Sequence, residues 1–203
     1  FPYYKTRGFF PEFVEAEHRR VVFTPEGKMG RDSNGKPILE CMCGNVLEGR
    51  VDPSLPFFTA NGSFWTNGTT ELLASTTEVE RQSGTRNRCN LEGYESVALI
   101  PMRSVDGVIG LLQLNDRRKG RFTPGSLSFF EGIGASIGIA LARQQTERAL
   151  KESTAFLESL MEATPVPVFY KDAAGRYMGF NRAFETFFGK TRAELVGKTV
   201  FET

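Results

Sequence analysis

Histidine, tryptophan and cysteine are scarce in this chain: one His, one Trp and three Cys among 203 residues. Around the lone His18 no nucleophile, base and acid fall into a catalytic motif. An enzymatic role would need an acid–base or nucleophile set that the sequence does not display. The cysteines, Cys41, Cys43 and Cys89, are odd in number and come without a signal peptide, which points to a reducing compartment rather than a disulfide framework. Net charge is nearly absent as well, with 25 Lys+Arg against 24 Asp+Glu. No charge field therefore favours nucleic acid or an anionic membrane surface. No uninterrupted apolar run approaches the ~20 residues needed to span a bilayer. The longest, Ile133 to Ala142, is short and contains Gly134 and Gly138. The expected setting is cytoplasmic, without membrane contact. Phenylalanine, by contrast, is abundant at 18 residues, enough for a core or an apolar pocket.

The chain is organised around the stretch from Glu95 to Ala163. Glu95 to Arg103 reads as a strand apolar on both faces, hence central and covered on both sides. Asp106-Gly107 supplies a turn, and Val108 to Asn115 forms the second strand. Pro124 then opens a helical pattern that continues to Ala163, about 40 residues and roughly 60 Å long. Leu127, Phe130, Ile133, Ile137 and Leu141 step by three or four and should face the sheet. Gly134 and Gly138 have the small-xxx-small spacing that permits close helix approach. From Arg143 the pattern turns polar with a thin stripe of Leu150, Leu157, Leu160 and Met161, the mark of a helix that leaves its own domain and meets a partner. A parallel homodimer through the 124–163 helix is expected.

Before this stretch, Phe1 to Arg7 reads as a strand and Pro11 to Glu17 as a helix start. The segment from Pro25 to Pro37 is a loop containing an Asn34-Gly35 turn. Leu39 to Arg50 carries Cys41 and Cys43; read as a strand, it puts both thiols on one face. A short strand lies near Ser63 to Thr66, and Thr69 to Arg81 is moderately helical, with Thr76 or Thr77 as a cap. Asn61-Gly-Ser63 and Asn67-Gly-Thr69 are read as turns. After the helix, Thr164-Pro165-Val-Pro167 is a stop. A short hairpin follows (Val168 to Lys171, turn Asp172 to Gly175, Arg176 to Phe180), then an Asn181-capped helix and a Thr191-capped one. Phe169, Tyr177, Phe180, Phe184, Phe187 and Phe188 are its expected core. The lack of an initial Met and the abrupt ends suggest a piece of a longer protein.

These residues resemble two known modules. Phe1 to about Ala149, above all ESVALIPMRSVDGVIGLLQLND followed by FTPGSLSFFEGIGASIGIALAR, resembles a GAF domain whose first helix and strand fall before Phe1. From Phe156 onward, VFYKDAAGRYMGFNRAFETFFGKTRAELVGKT resembles the first half of a PAS domain. The resemblance implies an α+β protein: a GAF-like sensor domain over 1–149, a signalling-helix linker over 150–163, and the N-terminal part of a PAS domain over 164–203. Such tandems sit upstream of histidine kinase or cyclic-di-nucleotide output domains, so a non-catalytic sensory module, with a small-molecule ligand or cofactor in the GAF part, is implied. A ligand-free dimerisation scaffold is the alternative.

Some GAF domains hold a tetrapyrrole through Cys or His, which makes Cys41, Cys43 and Cys89 the candidate ligands for haem or a related group. Cys89 is preferred, because Arg86 and Arg88 would stabilise its thiolate or pair with propionates. The same thiols, with His18, also suit a metal or redox role, and buried free cysteine is the plain alternative. Phe64 and Trp65, with Phe57 and Phe58, line an apolar pocket or form core. Arg117, Arg118 and Lys119 read as a solvated rim.

Overall fold

A computed structural model of the chain describes residues 5–18, 21–22, 27–32, 35–81, 86–105 and 107–203, without the side chains of Ala16 and His18. Two compact units divide it, Phe1–Ala142 and Arg143–Thr203. The fold is α+β, with small antiparallel sheets and one long helix.

In the first unit, α1 (Pro11–His18) and α2 (Cys41–Glu48) precede β1 (Phe64–Thr66), α3 (Thr69–Ser75), α4 (Arg88–Leu91), β2 (Ser96–Ser104) and β3 (Gly107–Asp116). Residues 5–7 form no strand, and the expected strand at Phe1 to Tyr4 lies outside the described residues. So do Asn34 and Asp106 of the two expected turns. Gly35 closes the first with its N–H on Asp32 O at 3.0 Å, and Gly107 takes up φ 126° in the second. The helix expected over 69–81 stops at Ser75. There Thr76 turns extended and Thr77 begins a separate turn by accepting from the Glu80 N–H.

β2 lies between β1 and β3, with Phe64 opposite Leu99 and Ala98 opposite Leu114. Because strand side chains alternate, β2 builds two cores. Val97 and Leu99 join Phe13, Val46, Phe57 and Phe64 on one face. Ala98 and Ile100 meet Phe122 and Leu127 on the other. Pro101 is tolerated because β1 pairs only over Val97–Leu99, so β2 has one neighbour there.

Helix α5 (Pro124–Ala163), 40 residues without a break, begins in this unit and ends in the second. Thr123 caps it through the Ser126 N–H at 3.2 Å, and Pro124 stands at the first helical position. Of the expected sheet-facing residues Leu127 is fully buried, whereas Ile137 is exposed. The closest approach comes instead from the buried Gly134 and Gly138. A Cβ on Gly134 would lie 3.0 Å from Ile100 Cγ2; one on Gly138 would lie 2.7 Å from Arg103 N and nearer still to its carbonyl oxygen. The small-residue spacing therefore serves helix-on-strand packing rather than helix–helix packing. Glu131 fastens the same helix to the β1 approach, accepting from Thr59 Oγ1, Ser63 Oγ and Asn61 Nδ2 at 2.5–2.7 Å. By length and composition α5 would also pass as a membrane span, contrary to the expectation from uninterrupted runs. Its average hydropathy is not interrupted by glycine in the way an apolar run is. Its buried residues, Leu127, Gly134 and Gly138, are the ones that meet the β2 side of the unit.

In the second unit, β4 (Phe169–Lys171) pairs with β5 (Tyr177–Phe180), followed by α6 (Arg182–Phe188) and α7 (Arg192–Leu195). The turn signals act as read: Gly175 N–H reaches Asp172 O at 3.0 Å. Thr191 and Glu194 form a capping box. The core is Phe180, Phe184 and Leu195 with Tyr177 against it. Phe169, Phe187 and Phe188, expected to be buried, are at least half exposed. Asn181 organises the unit. It is fully buried, and its Oδ1 accepts from Val168 N (2.9 Å) and Phe184 N (3.0 Å). Its Nδ2 donates to the carbonyls of Met161, Thr164 and Val166 at 2.9–3.1 Å. One side chain thus caps α6 and ties the end of α5 to the hairpin.

Candidate functional site

Beneath the Val97/Leu99 face of β2 lies a cavity of about 70 Å³, walled by α2, α3, α4 and the first residue of β1. Four of the residues expected at a site reach it: Cys41, Cys43, Cys89 and Phe64. Trp65 does not. Strand alternation turns it to the opposite face, against Ala98 and Ile100. Phe57 and Phe58 are core beside the cavity.

The cysteines come together by a route other than the expected one. LECMCGNVLEGR is not a strand: residues 41–48 are helix α2, in which positions two apart point about 200° around the axis rather than to one face. Gly49 ends it in the left-handed region, φ 71°, as a helix C-terminal glycine commonly does. Burial dominates the chemistry of the thiols. It pushes Cys89 well above the usual thiol range, with nearby Cys43 and Glu17 adding to it and the Asn115 amide only partly opposing it. Gln113 Nε2 and Asn115 Nδ2 each lie 3.6 Å from Cys89 Sγ. Burial also raises Cys41, although the Arg86 N–H donates to its sulfur at 3.0 Å. The expected thiolate at Cys89 is therefore corrected to a neutral thiol.

The arginines expected to assist it have other partners. Arg86 Nε is 2.9 Å from Glu40 and its Nη2 is 3.4 Å from Glu17, while Arg88 Nη2 pairs with Glu92 at 2.6 Å. A tetrapyrrole does not fit this arrangement. The cavity is several-fold smaller than the roughly 300–1,000 Å³ of pockets for drug-sized ligands, burial disfavours the thiolate at Cys41 and Cys89, and Arg86 and Arg88 are engaged with carboxylates. Among the described residues no three His, Cys, Asp or Glu side chains converge as metal ligands, and the side chain of His18 lies outside them. Nor is the 117–119 cluster an open anion site: Arg117 lies over the rings of Phe10 and Tyr94, Arg118 pairs with Asp116 and Lys119 with Glu71.

Two wall residues carried no signal in the sequence. Glu17, on α1, is 2% exposed, and Arg81, just past α3, is 5% exposed. Each sits in a polar stretch that reads as surface, and only the tertiary fold buries them. A second, larger groove of about 590 Å³ runs beside α5. Its charged groups are held by neutral partners, Glu131 through the three bonds above and Arg103 by donating from Nη2 to Asn61 O at 3.2 Å.

Residues 155–203 match the family model described as PAS fold. The match falls within the C-terminal unit. The virulence sensor protein BvgS of Bordetella pertussis is 37% identical over 60 residues, which are 30% of this chain and 5% of that protein. The protein of the same name from Bordetella bronchiseptica matches to the same extent. The chain thus spans a small fraction of the length of the curated relatives it matches. A solved domain of a two-component sensor histidine kinase protein from Sinorhizobium meliloti aligns with 61% of this chain and 81% of its own, at 15% identity and a TM-score of 0.36, too slight a likeness to bear on the fold. The PAS match and the BvgS similarity support a sensory, signal-transducing role.

Proposed function

We propose that the chain is the sensing and relay part of a cytoplasmic sensor histidine kinase. In this reading the first unit is GAF-like and takes a small molecule in the cavity under β2. Helix α5 passes the consequence to the PAS unit and on to an output domain. The observation that carries the proposal is the way α5 is held. Near its start, Gly134 and Gly138 rest on β2, the strand whose other face lines the cavity. At its end, Asn181 Nδ2 holds the Met161 and Thr164 carbonyls, and Glu162 accepts from the Arg182 N–H at 3.0 Å. A ligand acts only through unequal affinity for two arrangements. A ligand that displaces β2 is felt at Gly138, because backbone contact there cannot be relieved by a rotamer change.

The exposed Leu150, Leu157 and Leu160 are spaced by seven and three, as in a coiled-coil seam. The reading therefore includes a homodimer through the 124–163 helix. Leu157→Asp should convert dimer to monomer in sedimentation velocity; unchanged sedimentation would contradict the seam. Inserting two residues after Arg148 of the parent protein rotates the downstream part of the helix by about 200°, whereas inserting seven adds nearly two full turns. Stimulus control of autophosphorylation should be lost in the first and retained in the second. The same leucine stripe also fits a ligand-free dimerisation scaffold, for which autophosphorylation would respond to neither a ligand nor the phase of the insertion.

A further inference from the structure

The groove beside α5 is lined from two sides. Pro101 and Arg103 come from β2, and Glu131, Gly132 and Ala135 come from α5. The Asn61-Gly62 turn, which the sequence marks, lines it as well. At about 590 Å³ the groove falls within the roughly 300–1,000 Å³ of small-molecule sites.

Two opposite charges line this groove without meeting. Elsewhere in the unit arginines pair with carboxylates, Arg86 with Glu40 at 2.9 Å and Arg88 with Glu92 at 2.6 Å. Here Asn61 bridges the two groups instead. Its Nδ2 donates to Glu131 Oε2 at 2.7 Å, and its carbonyl oxygen accepts from Arg103 Nη2 at 3.2 Å. Glu131 Oε1 takes two hydroxyl donors, Thr59 Oγ1 at 2.5 Å and Ser63 Oγ at 2.6 Å. A carboxylate offers about four acceptor positions, so one is left on Oε2. Burial opposes the charge on Glu131, but the bonds from Ser63, Thr59 and Asn61 outweigh it and hold the carboxyl below its ordinary range. Beyond its bond to Asn61 O, the Arg103 guanidinium has no acceptor and no ion pair among the described residues. Gly62 lets the turn come this close: its φ is 77°, and a Cβ there would lie 2.9 Å from Arg103 Nη2. An anion and a cation are thus held near each other by neutral partners, each without a counter-charge.

We infer that this groove binds a free α-amino acid with an apolar side chain, its ammonium on Glu131 and its carboxylate on Arg103. An α-amino acid carries both charges on one Cα, so a single small ligand answers both groups. The ammonium supplies the donor that Oε2 lacks, and the guanidinium fork matches the carboxylate. A ligand with one charge would displace water from the other group without replacing its hydrogen bonds, which is unfavourable. Val51, Pro53, Pro101 and Ala135 give the groove an apolar wall for the side chain. Glu131 stands on α5 and Arg103 on β2, so the bound amino acid ties the two elements together beside the Gly134 and Gly138 contacts. The consequence for signalling rests on the relay proposed above; the binding itself does not.

The test is a calorimetric titration of the 203-residue chain with L-phenylalanine, with 3-phenylpropionate, which lacks the ammonium, and with 2-phenylethylamine, which lacks the carboxylate. Phenylalanine should bind, and each analogue should bind at least tenfold more weakly. Glu131→Gln should bring phenylalanine down to the level of 3-phenylpropionate and leave 3-phenylpropionate unchanged. Arg103→Gln should bring it down to the level of 2-phenylethylamine. Equal binding of phenylalanine and 3-phenylpropionate would overturn the part given to Glu131, equal binding of phenylalanine and 2-phenylethylamine that given to Arg103, and no binding of phenylalanine the whole. If a variant fails to fold, the wild-type comparison with the two analogues decides alone. Binding as expected, alongside insertion variants that leave autophosphorylation untouched, would keep this site and remove the relay.

Discussion

Replacing Gly138 by alanine puts a methyl group where the backbone of Arg103 already lies. The new Cβ would be 2.7 Å from Arg103 N and 3.0 Å from its carbonyl carbon, against about 3.5–4.0 Å for an ordinary carbon contact. Helix α5 must therefore withdraw by roughly 1 Å, because no side chain is available to move aside. Overpacking of this kind costs about 1–3 kcal/mol, and the better helix propensity of alanine returns about 1 kcal/mol. The expected net loss is about 0–2 kcal/mol. Gly132 provides the control. It is exposed on the same helix and a Cβ there meets nothing within 4 Å, so Gly132→Ala should gain about 0.5–1 kcal/mol. At roughly 2–4 °C per kcal/mol for a protein of this size, the two variants should melt about 1–12 °C apart, with Gly138→Ala the lower. Trp65 is the sole tryptophan and packs in the core that faces α5, so its fluorescence reports this unit directly. A Gly138→Ala protein as stable as Gly132→Ala would refute the contact between α5 and β2.

The second unit and the thiols give two more expected outcomes. Asn181→Asp keeps the acceptor for Val168 and Phe184 but loses the donor to three carbonyls; at about 1–3 kcal/mol for leaving buried groups unpaired, limited proteolysis should cut the 164–203 region much faster, and an unchanged rate would contradict the clamp. Cys89 should react with a thiol reagent far more slowly than free cysteine at pH 8. Its thiol is held above the ordinary range, so its contribution to stability is complete at neutral pH and is lost as pH rises beyond the unfolded value; Cys89→Ser should flatten the fall in stability above about pH 9, and an identical alkaline profile would count against it.

The parts of the fold that were legible are those with local chemistry. Thr123-Pro124 starts α5, Pro165 stops it, and the period between them has no competitor over 40 residues. Asn181, Gly189 and Thr191 mark their helix ends through caps the backbone itself demands. The cavity was legible only in part. Its three thiols stood out by rarity, but the segment around Cys41 and Cys43 is too short and too mixed to separate strand from helix, and the wrong choice implied the wrong geometry. Arg81 was invisible because burial of a charge is a tertiary event that no periodicity announces. The glycines of α5 announced close approach but not the partner, which is a strand.

The central claim is that α5 couples β2 to the C-terminal unit. Its most direct test is hydrogen exchange at the Val168 and Phe184 amides, the two that donate to Asn181 Oδ1, compared between wild type and Gly138→Ala. The account predicts that moving α5 off β2 changes protection at both amides, far along the chain from the substitution. Protection altered only within residues 5–142, with Val168 and Phe184 exchanging as in wild type, would contradict it.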